Sequence, residues 1–94
     1  MANYIARVEL HSATWDDYDR LHTGMQSRGY SRTITSDGGV CSQLPTGTYV
    51  ATNSNVDLGV ALNAAIEAAN ETGRKSAVVV TDWTAARWNG LQKT

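Results

Sequence analysis

Arginines and histidines are the side chains of this chain whose types and spacing suggest chemistry. Arg20 and His22 stand two residues apart, Arg28 and Arg32 follow, and Arg7 and Arg87 lie toward the two ends, Arg87 beside Trp88. Arginine offers phosphate a planar fork of donors, and aromatic rings give unpaired bases a surface to stack on. An imidazole titrates near neutral pH, which makes His22 a candidate general acid or base for phosphodiester chemistry. Each also has an ordinary reading. The arginines suit surface pairing with carboxylates, and His22 suits a place at the core edge with one nitrogen hydrogen-bonded.

Other chemistries find less to work with. His11, His22 and Cys41 form no close-spaced ligand pair, so no metal site is expected. Cys41 sits between Val40 and Ser42, which supply neither a base nor positive charge, so a thiol nucleophile is not expected. Asp16, Asp17 and Asp19 fall at near-consecutive helix positions that face different ways, which suits capping and a solvated face better than one shared ion. Asp37-Gly38-Gly39 lacks the lysine and the strand-to-helix setting of a phosphate loop and reads as a turn.

The chain as a whole bounds these choices. Ninety-four residues, 41% of them hydrophobic and one of them proline, suit a single domain over 1–94 with one core and little margin. Eight basic against nine acidic side chains give a net charge of −1, so bulk positive charge does not hold this protein on nucleic acid, though a local basic face can. No apolar run reaches 18 residues, and the start lacks the pattern of a secretory signal. A lone cysteine excludes an internal disulfide framework and suits a reducing cytoplasm.

The elements that must position the arginines follow from periodicity. From Tyr4 to His11 the residues alternate: Tyr4, Ala6, Val8 and Leu10 suit a core beneath helices, and Ile5, Arg7, Glu9 and His11 a half-exposed sheet face. Thr14 with Asp17 three residues on reads as a capping box opening a helix to Arg28, with Trp15, Tyr18, Leu21, His22 and Met25 as its buried stripe and Gly29 closing it. Tyr30–Ser36, Val40–Leu44 and Thr48–Thr52 read as short strands divided by turns at Asp37-Gly38 and Pro45–Gly47, so the central hairpin carries an extra arm. Ser54-x-x-Asp57 reads as the cap of a second helix whose stripe is Leu58, Ala61, Leu62, Ala65, Ile66 and Ala69, ending at Gly73. Ala77–Thr81 reads as a fully buried strand, and an irregular tail from about 82 carries Trp83 and Trp88. The order β-α-β-β-α-β points to an α+β, ferredoxin-like sandwich with an antiparallel sheet and two helices on one face.

Three stretches resemble a known family. Asn3-Tyr4-Ile5 through Leu10, the helix end Gly29-Tyr30-Ser31, and the run Asp37-Gly38-Gly39-Val40-Cys41-Ser42-Gln43-Leu44-Pro45 are similar to the GhoS-type family of small bacterial proteins, which contains the antitoxin endoribonuclease of type V toxin–antitoxin systems. The closing Arg87-Trp88-Asn89-Gly90-Leu91 looks like a branch of relatives of unknown function. The resemblance covers roughly residues 2–94 and implies a ferredoxin-like fold, similar to the small CRISPR spacer-acquisition subunit, and cleavage of a messenger RNA. It further implies an arginine-bearing first helix as the seat of RNA chemistry. By position Arg20 fits that arginine, and the next family arginine falls at His22. The two side chains are not interchangeable.

Two expectations follow. In one, the protein is an RNA-associated, antitoxin-like endoribonuclease acting on single-stranded mRNA without a metal or other cofactor, with Arg20 and His22 catalytic and Arg7, Arg28, Arg32 and Arg87 binding RNA or a partner. In the other, it is a non-catalytic protein-binding module, or an inhibitor of a defence complex, acting through its sheet face or edge. A homodimer is expected under either.

Overall fold

The computed structural model describes residues 1–94. In chain order they form β1 (Ala2–Leu10), α1 (Trp15–Gln26), β2 (Thr33–Thr35), β3 (Cys41–Gln43), β4 (Thr48–Ser54), α2 (Leu58–Glu71) and β5 (Ser76–Asp82). The main sheet runs β4-β1-β5, and β1 is antiparallel to both neighbours. Ser31 adds the trace of a fourth strand: its N–H donates to the Val50 carbonyl at 2.7 Å and its carbonyl accepts from Val50 N–H at 2.9 Å. The chain then leaves the sheet as the β2–β3 ribbon. This is the ferredoxin-like α+β arrangement, with its outermost strand cut to one bridge and the expected arm standing in its place.

Sequence alternation decides what β1 buries. Tyr4, Ala6, Val8 and Leu10 are buried in the layer beneath the helices, and Arg7, Glu9 and His11 are exposed. Thr14 caps α1 in a full capping box with Asp17, and Tyr18, Leu21, His22 and Met25 turn inward. Trp15, expected with them, is 77% exposed. It lies at the rim of the stripe, and a side chain in the first helical turn leans back past the helix start, away from the sheet. The second cap also shifts: Asp57, not Ser54, is the N-cap, accepting from Val60 N–H at 2.9 Å, while Ser54 ends β4.

The face that α2 presents to the sheet is built of alanine. Ala61, Ala65, Ala68 and Ala69 are buried, whereas Leu58 and Ile66, expected on the core stripe, are 45% and 36% exposed. The sheet and the turn after α1 supply the bulk instead. Tyr30 reaches under the helix and donates to the Ala61 carbonyl at 2.7 Å, and Tyr4 donates to the Val56 carbonyl at 2.6 Å. Burial pushes the Tyr30 phenol up to about 12, so it remains a donor. Small residues also bring α2 close to α1, where a methyl placed on Gly24 would meet Ala68 Cβ at 3.3 Å.

β5 is not the fully buried strand expected. It is an edge strand, with Val78 and Val80 half-buried under α2 and Val79 62% exposed on the opposite face. The tail answers the question of the second face. It continues the pairing of β5, Trp83 N–H donating to the Asn3 carbonyl at 2.9 Å, then crosses the sheet. Trp83, Ala86, Trp88 and Leu91 pack there with Ile5 over Ile34, Leu44 and Val50 as a second small core. Gln43 N–H donates to the Gln92 carbonyl at 2.8 Å, tying the tail to β3. Ile5 is therefore covered, while Arg7 and Glu9 stay open.

Two residues carry predictions. Gly47 turns the chain into β4 at φ +83°, and a methyl there would run into the Val8 carbonyl. Gly47→Ala should lower stability by about 1–3 kcal/mol from the strained backbone alone, read as a lower urea midpoint. Asp17 is buried, its carboxylate accepting from Thr14 N–H at 3.0 Å and Arg74 Nε at 2.7 Å. These bonds, that of Thr14 foremost, hold its carboxyl below the usual range. Its stabilising effect is complete above the pKa of an unfolded aspartate and is lost as pH falls through the lower folded value. Asp17→Asn should lower stability at neutral pH and flatten the acid limb of a stability–pH curve.

Candidate nucleic-acid interface

The outer face of α1 turns Asp19, Arg20 and Thr23 to solvent, Ser27 and Arg28 follow just past its end, and Glu71 of α2 closes one side. Together with Gly24 they line an open groove of about 780 Å³ with no apolar side chain in it. The groove exists because Gly24 and Ala68 let the two helices approach and leave the longer side chains standing around the seam. Arg20 lies within α1, and Arg28 lies two residues past its end at Gln26.

The two arginines are held very differently. Arg28 forks onto Glu71, Nη1 to Oε1 at 3.2 Å and Nη2 to Oε2 at 3.0 Å, and Nη1 also donates to the Gly24 carbonyl at 3.0 Å. Glu71 raises its proton affinity further, and the guanidinium is a fixed wall of the groove. Arg20 is 62% exposed, and its closest partner is Asp17 Oδ1 at 3.6 Å. The other oxygen of that carboxylate is already occupied by Arg74 and Thr14. Arg20 is thus the loosely held cation of the pair, free to turn toward an anion.

His22 does not join Arg20. Two residues on along a helix is about 200° around it, and His22 is buried on the inner face, its Nδ1 2.6 Å from the Tyr49 hydroxyl. The rings stand 5.7 Å apart and tilted by 58°. Burial first, and the nearby Arg32 second, lower the proton affinity of the imidazole, so at neutral pH it is uncharged. Tyr49 is fully buried, and its phenol is pushed far above the ordinary range by burial. This is the hydrogen-bonded core-edge histidine that the sequence allowed.

The remaining arginines are dispersed. Arg32 is half-buried on the inner side of α1, near His22. Arg7 lies on β1 between Thr48 and Val79, on the sheet face opposite the helices. Arg87 lies in the tail, in a second groove of about 650 Å³ between the Asp37 turn and Trp83 and Trp88. Cys41 meets the hydroxyls of Thr94, Thr33 and Thr35, which hold its thiol below the usual value, with no base beside it. No three His, Cys, Asp or Glu side chains converge in a geometry that suits a metal ion. Sequence reading missed Glu71 and the Asp17–Arg74 pair: 43 residues separate Arg28 from Glu71, and 57 separate Asp17 from Arg74.

A protein-family model described as endoribonuclease GhoS matches residues 1–89. No curated protein and no solved structure matches the chain.

The His22–Tyr49 pair predicts a titration. Because the folded imidazole binds its proton less tightly than the unfolded one, stability is complete above about 6.5, the free value, and falls as pH drops through the lower folded value. An NMR titration should place the His22 midpoint below that of free imidazole, and Tyr49→Phe should shift it.

Proposed function

The chain belongs to the GhoS endoribonuclease family, and on that footing we propose that it cleaves single-stranded RNA at the polar groove of α1. The family match over residues 1–89 is the observation that carries this reading. The groove supplies the chemistry that phosphodiester cleavage calls for. Arg20, the less committed of the two groove arginines, faces the scissile phosphate and stabilises the charge that builds on it. Arg28, fixed by Glu71 just past the end of α1, orients the neighbouring part of the RNA strand. Asp19 is the groove carboxylate with no cation bonded to it, and it takes the proton of the attacking 2′-hydroxyl. The 2′-oxygen bonds to phosphorus as the P–O5′ bond breaks, which leaves a 2′,3′-cyclic phosphate and a 5′-hydroxyl that takes its proton from water. His22 supports the helix from inside and has no direct part in this scheme.

The substrate class in this proposal is messenger RNA, and the cellular role is that of an antitoxin in the cytoplasm. No helix is long and apolar enough to cross a membrane. A groove with two arginines and two carboxylates, on a chain of net charge −1, fits a protein that holds a short unpaired segment through a few contacts rather than coating nucleic acid.

Arg20→Ala should lower the cleavage rate of a single-stranded RNA by about 100-fold, by analogy with removal of one transition-state donor, and Arg20→Lys should recover little of it because the bidentate fork is lost. An RNA carrying a 2′-deoxy sugar at the cleavage point should remain intact. Gel-resolved cleavage of a mixed RNA pool measures both. Unchanged cleavage in Arg20→Ala would reject the groove as the active site.

A further inference from the structure

We propose that two copies of this chain pair through the outer edge of β5, antiparallel and centred on Val79, and that their α2 helices close over the joint. The bonding pattern sets which atoms are available. His11 N–H donates to the Lys75 carbonyl and Trp83 N–H to the Asn3 carbonyl, which fixes the odd-numbered residues from 75 to 83 as those bonded to β1. The N–H and carbonyl groups of Ser76, Val78, Val80 and Asp82 therefore point away from the sheet. β5 is the last strand in the order, and nothing in the chain pairs with that edge.

An open edge is commonly guarded by a charge, a proline or a bulge. Residues 76–81 of β5 read Ser-Ala-Val-Val-Val-Thr, with none of these. Val79 is 62% exposed on the sheet face. The flank of α2 above the edge is apolar as well. α1 lies against the side of α2 that carries Ala68 and Glu71, and Leu58, Leu62 and Ile66, one turn apart from each other, fall on the opposite side, over β5. A soluble monomer has no use for an apolar helix flank running along a bare strand edge.

The occupant is a second copy because the edge is complementary to itself. Full overlap of the seven residues sets Val79 opposite Val79, Val78 opposite Val80 and Ser76 opposite Asp82. The outward-bonding residues then meet only outward-bonding residues, which gives an uninterrupted ladder. Charge agrees with the direction: Lys75 precedes the strand and Asp82 ends it, so antiparallel copies bring opposite charges to each end of the joint, and parallel copies bring like charges together. The Leu62 and Ile66 side chains of the two helices meet above the ladder and extend the core across the axis. Neither α1 groove lies at this joint, so the inference is independent of the ribonuclease reading.

Sedimentation equilibrium on the full chain tests it. The wild type should sediment at twice the 10.1 kDa chain mass. Val79→Lys places like charges opposite each other on the axis, and Ile66→Glu charges the helix flank at a solvent-facing position that the fold does not need. Each should raise the dimer dissociation constant by about tenfold or more, with circular dichroism unchanged. Val79→Cys in a Cys41→Ser background should form a linked dimer on oxidation, since directly opposed non-bonded residues suit a disulfide. A wild type that stays monomeric, a dimer indifferent to Ile66→Glu, or a dimer that never links through Val79→Cys overturns the proposal. Arg20→Ala should dimerise like the wild type whatever it does to RNA cleavage.

Discussion

The Asp17 carboxylate is the point on which both halves of the chain depend. It completes the box that starts α1 through Thr14, and it takes the guanidinium of Arg74, the residue that leads from the end of α2 into β5. One buried group thus ties the start of the first helix to the approach of the last strand, 57 residues away. A buried carboxylate is tolerable only when its oxygens are bonded and its charge is met. That requirement also shapes the surface. With Oδ2 taken by Arg74 and Thr14, only the weaker Oδ1 contact at 3.6 Å is left for Arg20. The same group that anchors the scaffold leaves the candidate catalytic arginine loosely restrained.

Much of this architecture is legible in the order of residues because it follows from local rules. Alternation in β1 separates Tyr4, Ala6, Val8 and Leu10 from Arg7 and Glu9, and the Thr14–Asp17 box marks the start of α1 within a residue. The Asp37 and Pro45–Gly47 turns likewise set off the β2–β3 arm. The departures share a cause, which is that periodicity states which residues share a side and not what lies against that side. The α2 pattern allows leucine or alanine to face the sheet. Tyr4 and Tyr30 fill the space below the helix, so the alanines go inward and Leu58 and Ile66 stay out. The valine run of β5 has the composition of a buried central strand. Its place at the edge is decided by topology, which composition does not carry.

The candidate site divides along the same line. Arg20 lies on the outer face of α1 and Arg28 just past its C-terminal end, a placement that spacing alone predicts. Spacing also predicts that Arg20 and His22 face apart. A family resemblance that sets them side by side as catalytic partners meets that geometry directly, since His22 is committed to Tyr49 inside the core. What local sequence does not hold is the restraint on each arginine. Glu71 fixes Arg28 from the other helix, and Arg74 competes for the carboxylate that would otherwise fix Arg20. The difference between a structural arginine and a chemically available one is made entirely by these distant partners.

The tail gives the final constraint on where function can reside. A ferredoxin-like layer with helices on one side leaves its other sheet face open, and that face is the natural docking surface of a binding module. Here Trp83, Trp88 and Leu91 cover the half that contains Ile5 and Val50, and hydrogen bonds from Gln43 and Thr94 fasten the tail beside β3. The covered half is core, and a partner could reach it only by displacing two tryptophans. The uncovered half is a strip around Arg7, Glu9 and Val79 that adjoins the bare edge of β5. The two accessible polar and apolar surfaces are therefore on different layers: the arginine groove outside α1, and the apolar edge beneath α2. RNA at the first, as proposed, and a second copy at the second would not compete, because no residue belongs to both.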